Sequence, residues 1–181
     1  MILIMSDDHR HFFSLPVAIQ RHMLAGEPLF YAGDAVTHMA LVQEGCVHLL
    51  RRTVAGATAI LQMAQAGHVV AEASLYSPSY HCGAEAACPT VVSLLPVTVF
   101  RQALRDSPAL AESWSKHLAR SVQTARMRAE IRTLRTVAER LDAWLGEGHV
   151  LPDKGRQQDV AAELGVSREA LYRELARRRP R

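Results

Sequence analysis

The 181-residue chain predicts an α+β fold in three parts. The first is a jelly-roll-like barrel of the double-stranded β-helix kind, the second a long helix, the third a helix-turn-helix. Three observations predict it. Short apolar runs alternate with glycine turns from Glu27 to Phe100. A run without glycine or proline extends from Ala109 to Leu145. Two short helical patterns then meet at a Gly-Val-Ser turn between Arg156 and Arg178. An apolar fraction of 49% supplies a core for such a fold.

Residues 6–25 read as a short helical lead-in carrying Phe12, Phe13, Leu15, Val17, Ile19, Met23 and Leu24. The texture then changes. LFYAGD, HMALVQEGCVHLLRR, GATAILQMAQAGHVV and TVVSLLPVTVF are rich in strand formers and poor in helical periodicity. Gly33, Gly45, Gly56 and Gly67 recur about every 11 residues, the spacing of turns in an all-β sandwich or barrel. Ser107-Pro108 opens a helix, since serine caps it and proline fits its first turn. Apolar residues at Trp114, Leu118, Val122, Ala125 and Ala129 step by four, four, three and four. Such a heptad-like seam joins helices across a dimer. Leu118, Val122, Ala125 and Ala129 are the expected interface. Gly146 to Lys154 forms a linker. The expected domains are a sensor barrel with its N-terminal helix over residues 1–106, a dimerisation helix over 107–145, and a DNA-binding helix-turn-helix over 146–181.

In that last part, Gln158 to Leu164 carries Val160, Ala161 and Leu164 at the spacing of one buried stripe. Gly165 sits where a helix ends, because glycine takes a left-handed backbone cheaply. Ser167 is an N-cap ahead of a second run with apolar Ala170, Leu171 and Leu175. Between them stand Arg168, Glu169, Tyr172, Arg173, Arg177 and Arg178, a face suited to a DNA major groove. The bland alternative is a surface hairpin with a solvated basic face. Net charge is only +3, but Lys116–Arg140 and Arg168–Arg181 are arginine-rich, which favours nucleic acid at this end.

Other classes find little support. MILIM is too short and lacks the basic flank of a signal peptide, and no stretch approaches a membrane span. Three cysteines, an odd number, fit a reducing cytoplasm rather than a disulfide framework. There is no Walker loop, Gly-x-Ser-x-Gly elbow or HExxH pair, so no enzyme is expected.

The order of parts, with LFYAGD, LVQEGCVHLLRR, the Gly67 turn followed by Glu72, and GVSREALYREL, resembles the CRP/FNR family of bacterial transcription regulators over about residues 25–178. The resemblance implies a homodimer reading an inverted repeat of double-stranded DNA, an effector held in the barrel, and RNA polymerase as a candidate partner. It makes Arg168, Glu169 and Arg173 the base readers. Arginine forks onto guanine and glutamate accepts from cytosine N4, each good pair discriminating by about 1–3 kcal/mol. Ser167 and Gln158 suit phosphate contacts, and Tyr172 either task.

Two departures stand out. The chain ends in ARRRPR, so the family's two-stranded wing is expected to be absent or vestigial, natively or by truncation, with Arg177, Arg178, Arg179 and Arg181 substituting electrostatically. And where nucleotide-binding members grip the cyclic phosphate with an arginine, ten residues after Glu72, this chain has Cys82 followed by Gly83. A thiol offers no fork for phosphate. No response to cyclic nucleotide is therefore expected. In its place Cys46, His48, His81, Cys82 and Cys88 form a candidate soft-metal or thiol-redox sensor, with Cu(I) first, zinc second and haem, as in a gas sensor, third. Three cysteines argue against an iron–sulfur cluster. Against this stands the ordinary role of buried cysteines as small hydrophobes. The competing functional class is a cyclic-nucleotide-type sensor module acting through a protein partner.

Overall fold

The computed structural model describes residues 8–52, 58–152, 155 and 157–178. The opening MILIM, the Gly56 turn, Lys154, Arg156, Arg179 and Arg181 lie outside them. Contacts divide the chain into two compact units, Met1–Ala119 and Arg120–Arg181.

The first unit holds eight antiparallel strands: β1 Ile19–Met23, β2 Pro28–Phe30, β3 His38–Glu44, β4 Cys46–Arg52, β5 Thr58–Gln65, β6 Val69–Val70, β7 Gly83–Ala86 and β8 Thr90–Pro96. They form two four-stranded sheets, ordered β1-β8-β3-β6 and β2-β7-β4-β5. Between the sheets lies one core, with Met23, Val42, Val70 and Val92 from the first sheet against Phe30, Val47, Leu49 and Ala84 from the second. This is the expected jelly-roll arrangement, realised as two facing sheets rather than a closed barrel.

The first sheet is covered on its other face as well. Met39, Leu41, Val69 and Leu95 pack there against Phe13, Phe100, Leu104 and Trp114. Strands buried on both faces read as continuous apolar runs, and Met39–Val42 and the interior of β8 do so. Phe100 has no exposed surface, and its ring meets Trp114 edge-on at 4.9 Å. Truncating such a ring costs about 3–5 kcal/mol.

Three local expectations are corrected. The lead-in is a single 3₁₀ stretch, Asp8–Ser14, after which Ile19 and Met23 lie on a strand. TVVSLLPVTVF is strand only to Pro96; the rest opens α1, Val97–Asp106. The run from Ala109 to Leu145 is two helices, α2 Pro108–Thr133 and α3 Val137–Gly146. The start of α2 is as expected, with the Leu110 amide donating to the Ser107 hydroxyl at 3.2 Å. The break has a sequence cause. The Thr136 hydroxyl accepts from the Glu139 amide at 3.1 Å, and the Glu139 carboxylate accepts from the Thr136 amide at 2.9 Å. This capping box starts a new helix without any glycine or proline.

In the second unit, α4 Gln157–Leu164 and α5 Arg168–Arg177 pack with α3 and the end of α2. Val160, Ala161, Leu164 and Leu171 meet Ile131, Leu141 and Trp144 in its core. The orphan carbonyls at the end of α4 are taken by two arginines. Arg132 donates to Ala162 and Glu163, each at 3.2 Å, and Arg140 to Leu164 and Gly165, each at 3.1 Å. Gly165 itself is left-handed at φ 67°. These two members of the arginine-rich run are therefore structural.

Candidate functional site

The Ser167 hydroxyl accepts from the Ala170 amide at 3.2 Å, so α5 begins at Arg168 as its cap dictates. Leu171 is fully buried, and Ala170 and Leu175 are half-buried on the same side. That leaves Arg168, Glu169 and Arg173 exposed on the other side of the helix, with Tyr172 half-buried among them. The Arg168 guanidinium lies 5.3 Å from the centre of the Tyr172 ring, one turn along, which splints both side chains. Glu169 is held below the ordinary carboxylate range by its own backbone amide and by the Ser167 hydroxyl, so it is an acceptor near neutrality. Gln158 is exposed in the first turn of α4.

Arg177, expected to add charge for DNA, is engaged within its own helix. It forks onto Glu174, with both bonds at 3.0 Å. Glu174 is 9% exposed and also takes Arg178 at 2.6 Å. Arg178 reaches on to Asp142 at 2.5 Å and to the Ala138 carbonyl at 3.1 Å, both on α3. Arg177, then Arg178, pull Glu174 down to about 2. Arg178 closes the end of α5 onto α3, while Arg177 stays on its own helix with its side chain 70% exposed. Glu174 and Asp142 escape a sequence reading, although Glu-x-x-Arg-Arg has the three- and four-residue spacing of helical ion pairs.

Along α2, Val122 is 48% exposed, and Ala125 and Ala129 are exposed too. Leu118 is half-buried against the core of the first unit. Trp114, read from the sequence as part of the same seam, is buried in that core.

The sensor residues fall apart into separate places. Cys82 is 1% exposed in the core between the sheets. Cys46 and His48 alternate with core residues Val47 and Leu49, so they point to the opposite face of their sheet. Cys88 sits in the turn after β7, tied to Cys46 through Thr90: that hydroxyl accepts from the Cys46 amide at 3.2 Å and donates to the Cys88 carbonyl at 2.8 Å. His81 is exposed. The expected Cu(I) or zinc site finds no support: among the described residues no group of three His, Cys, Asp or Glu is placed to hold a metal ion. Burial pushes the Cys82 thiol up, partly offset by the charge of Arg51 and reinforced by Glu72. A thiol that stays protonated is a poor ligand and nucleophile.

Glu72 is 7% exposed, and its Oε2 has no hydrogen-bond partner among the described residues. It follows Ala71, which is left-handed at φ 55° and ψ 40°. That conformation costs a residue with a β-carbon about 1–2 kcal/mol, and such strain gathers where a fold must hold a side chain in place. Among the described residues, no helix is long and apolar enough to cross a membrane.

Residues 20–107 match the family model of the cyclic nucleotide-binding domain. No curated protein matches the chain. Among solved structures, FixK2 from Bradyrhizobium japonicum is 22% identical with a TM-score of 0.75, over 89% of this chain and 84% of that one. The c-di-GMP responsive global regulator CLP of Xanthomonas campestris is 17% identical with a TM-score of 0.70, over 94% and 90%. The catabolite activator protein of Thermus thermophilus is 25% identical with a TM-score of 0.57, over 97% and 84%.

Proposed function

We propose, from the premise that the chain is a CRP/FNR-type protein carrying a cyclic nucleotide-binding domain, that it is a transcription regulator binding DNA as a homodimer on an inverted repeat. The observation that carries this reading is the outer side of α5, where Arg168, Glu169 and Arg173 stand exposed opposite buried Leu171. Arg168 and Arg173 read guanines, Glu169 accepts from cytosine, and Gln158 and Ser167 contact phosphates. Arg177, whose side chain is 70% exposed, can meet a phosphate from its place beside Glu174. RNA polymerase is the partner such a regulator would meet at a promoter. The regulator does not answer to cyclic AMP in the manner of its nucleotide-binding relatives, because a protonated thiol at position 82 cannot balance a phosphate beside Glu72.

Arg168→Ala is the test. It should cost about 1–3 kcal/mol on the selected operator and much less on random duplex. Footprinting that showed equal losses on both would make Arg168 a phosphate contact. Full operator binding by the Arg168→Ala/Arg173→Ala double variant would move base readout off α5, and a parent chain that selects no operator at all would sink the DNA reading in favour of a module acting on a protein partner.

A further inference from the structure

A cleft of about 480 Å³ opens in the first unit where β2, β4 and β7 meet. This lies within the range of about 300–1,000 Å³ in which pockets hold small organic ligands. Its walls are mainly apolar: Pro28, Phe30, Leu50 and Ala84, with the Tyr31 ring, 61% exposed, beside them. Phe30 is fixed by face-to-face stacking on Tyr80 at 3.6 Å. Gly83 contributes no side chain, and a Cβ there would lie 3.7 Å from Leu50 Cδ1. Arg51, Arg52 and Glu85 supply the charge, with the His81 imidazole as a further polar group on the lining. Arg51 is pinned by donating to the His81 carbonyl at 3.2 Å. Arg52 meets Glu85 only at 3.9 Å, with its side chain 72% exposed.

We infer that this cleft binds a small monoanionic organic acid with a flat apolar body, an aromatic carboxylate in chemical class. Two guanidiniums against one carboxylate leave a single positive charge in excess, which matches a carboxylate better than a phosphate dianion. A guanidinium takes a carboxylate in a two-bond fork. The apolar walls suit a ring, with Tyr31 placed to stack on it. A nucleotide would set its sugar and base polar groups against Pro28, Phe30, Leu50 and Ala84, where they find no partners. Neither Glu72 nor Cys82 lines the cleft, although Gly83 follows Cys82 directly and the Arg51 charge acts on the Cys82 thiol.

The experiment titrates the full chain, without DNA, with 2-naphthoate, benzoate, adenosine 5′-monophosphate and inorganic phosphate by calorimetry. Working without DNA separates this site from the DNA-binding reading. Saturable naphthoate binding is expected, with benzoate weaker and the two phosphates weaker still. Arg51→Gln should weaken naphthoate about tenfold or more, the scale of a lost charge-assisted pair. Gly83→Leu should weaken it by filling the cleft, and Glu72→Gln should leave it unchanged. Arg52→Gln, at an exposed position with no fold to lose, should weaken binding too. No saturable naphthoate binding, tighter binding of either phosphate, or parental affinity in both arginine variants would overturn the proposal.

Discussion

Glu174 is an acid buried beside two arginines at the end of α5, and that environment makes its contribution to the second unit sensitive to acid. Its folded pKa lies near 2, below the ordinary 4.5, because Arg177 and Arg178 stabilise the charged form. A depressed carboxylate contributes stability that is complete above its unfolded pKa and is lost as pH falls through the folded one. The contribution should therefore drain away from about pH 4.5 to pH 2. Glu174→Gln should melt below the parent at pH 6, and the gap should close toward pH 2; a gap of the same size at both pH values would mean that Glu174 acts by packing alone. The spacing of Glu174 to its arginines is visible in the sequence. What is not visible is Asp142, 36 residues from Arg178, whose ion pair turns an apparently solvated cation into a closing contact. Cys82 carries the same lesson. Its identity as a thiol is plain, but its inertness follows from burial between two sheets, which no spacing records.

Helix α3 begins where its cap places it, and the TVAE signature at Thr136–Glu139 stands openly in the sequence. A long stretch without glycine or proline nevertheless reads as one helix, because breaks are usually sought in residues that forbid helix rather than in residues that start one. Thr136→Ala should cost about 1 kcal/mol, the ordinary scale of a lost N-cap, measured by urea unfolding; no change in midpoint would mean that the break at 134–136 is held by packing instead. The glycine turns were legible for the opposite reason. Gly45 is left-handed at φ 83°, and a Cβ there would meet the Pro89 carbonyl oxygen and Thr90 Oγ1, each at 2.5 Å. Gly45→Ala should destabilise the first unit by more than about 1 kcal/mol, because neither the backbone angle nor the neighbouring carbonyl can yield freely. Strand β1 does not read as a strand in the sequence because its edge position leaves Ile19 60% exposed, which blurs the alternation of a half-buried strand.

At the scale of the whole molecule, what remains uncovered is as informative as what is packed. Val122, Ala125 and Ala129 recur along α2 at three and four residues, yet stand in solvent in the single chain, whereas Trp114 and Leu118 turn into the first unit's core. Small side chains at a helical seam allow two backbones to approach closely, and a parallel pair would set each residue near its own symmetry mate. Such a pair also has a purpose: two α5 helices can occupy half-sites about 34 Å apart only if something fixes their separation. Val122→Glu tests this without disturbing either core, because the residue is 48% exposed in one chain. If the seam joins two chains, the substitution places two carboxylates against each other in a desolvated contact, which costs far more than an exposed charge does. Sedimentation should then report the mass of one chain, and operator affinity should fall because a single half-site makes half the contacts, while the melting of each unit stays close to that of the parent. A dimer of unchanged mass would mean that the stripe on α2 is a solvated face and that the two reading helices are paired by another surface.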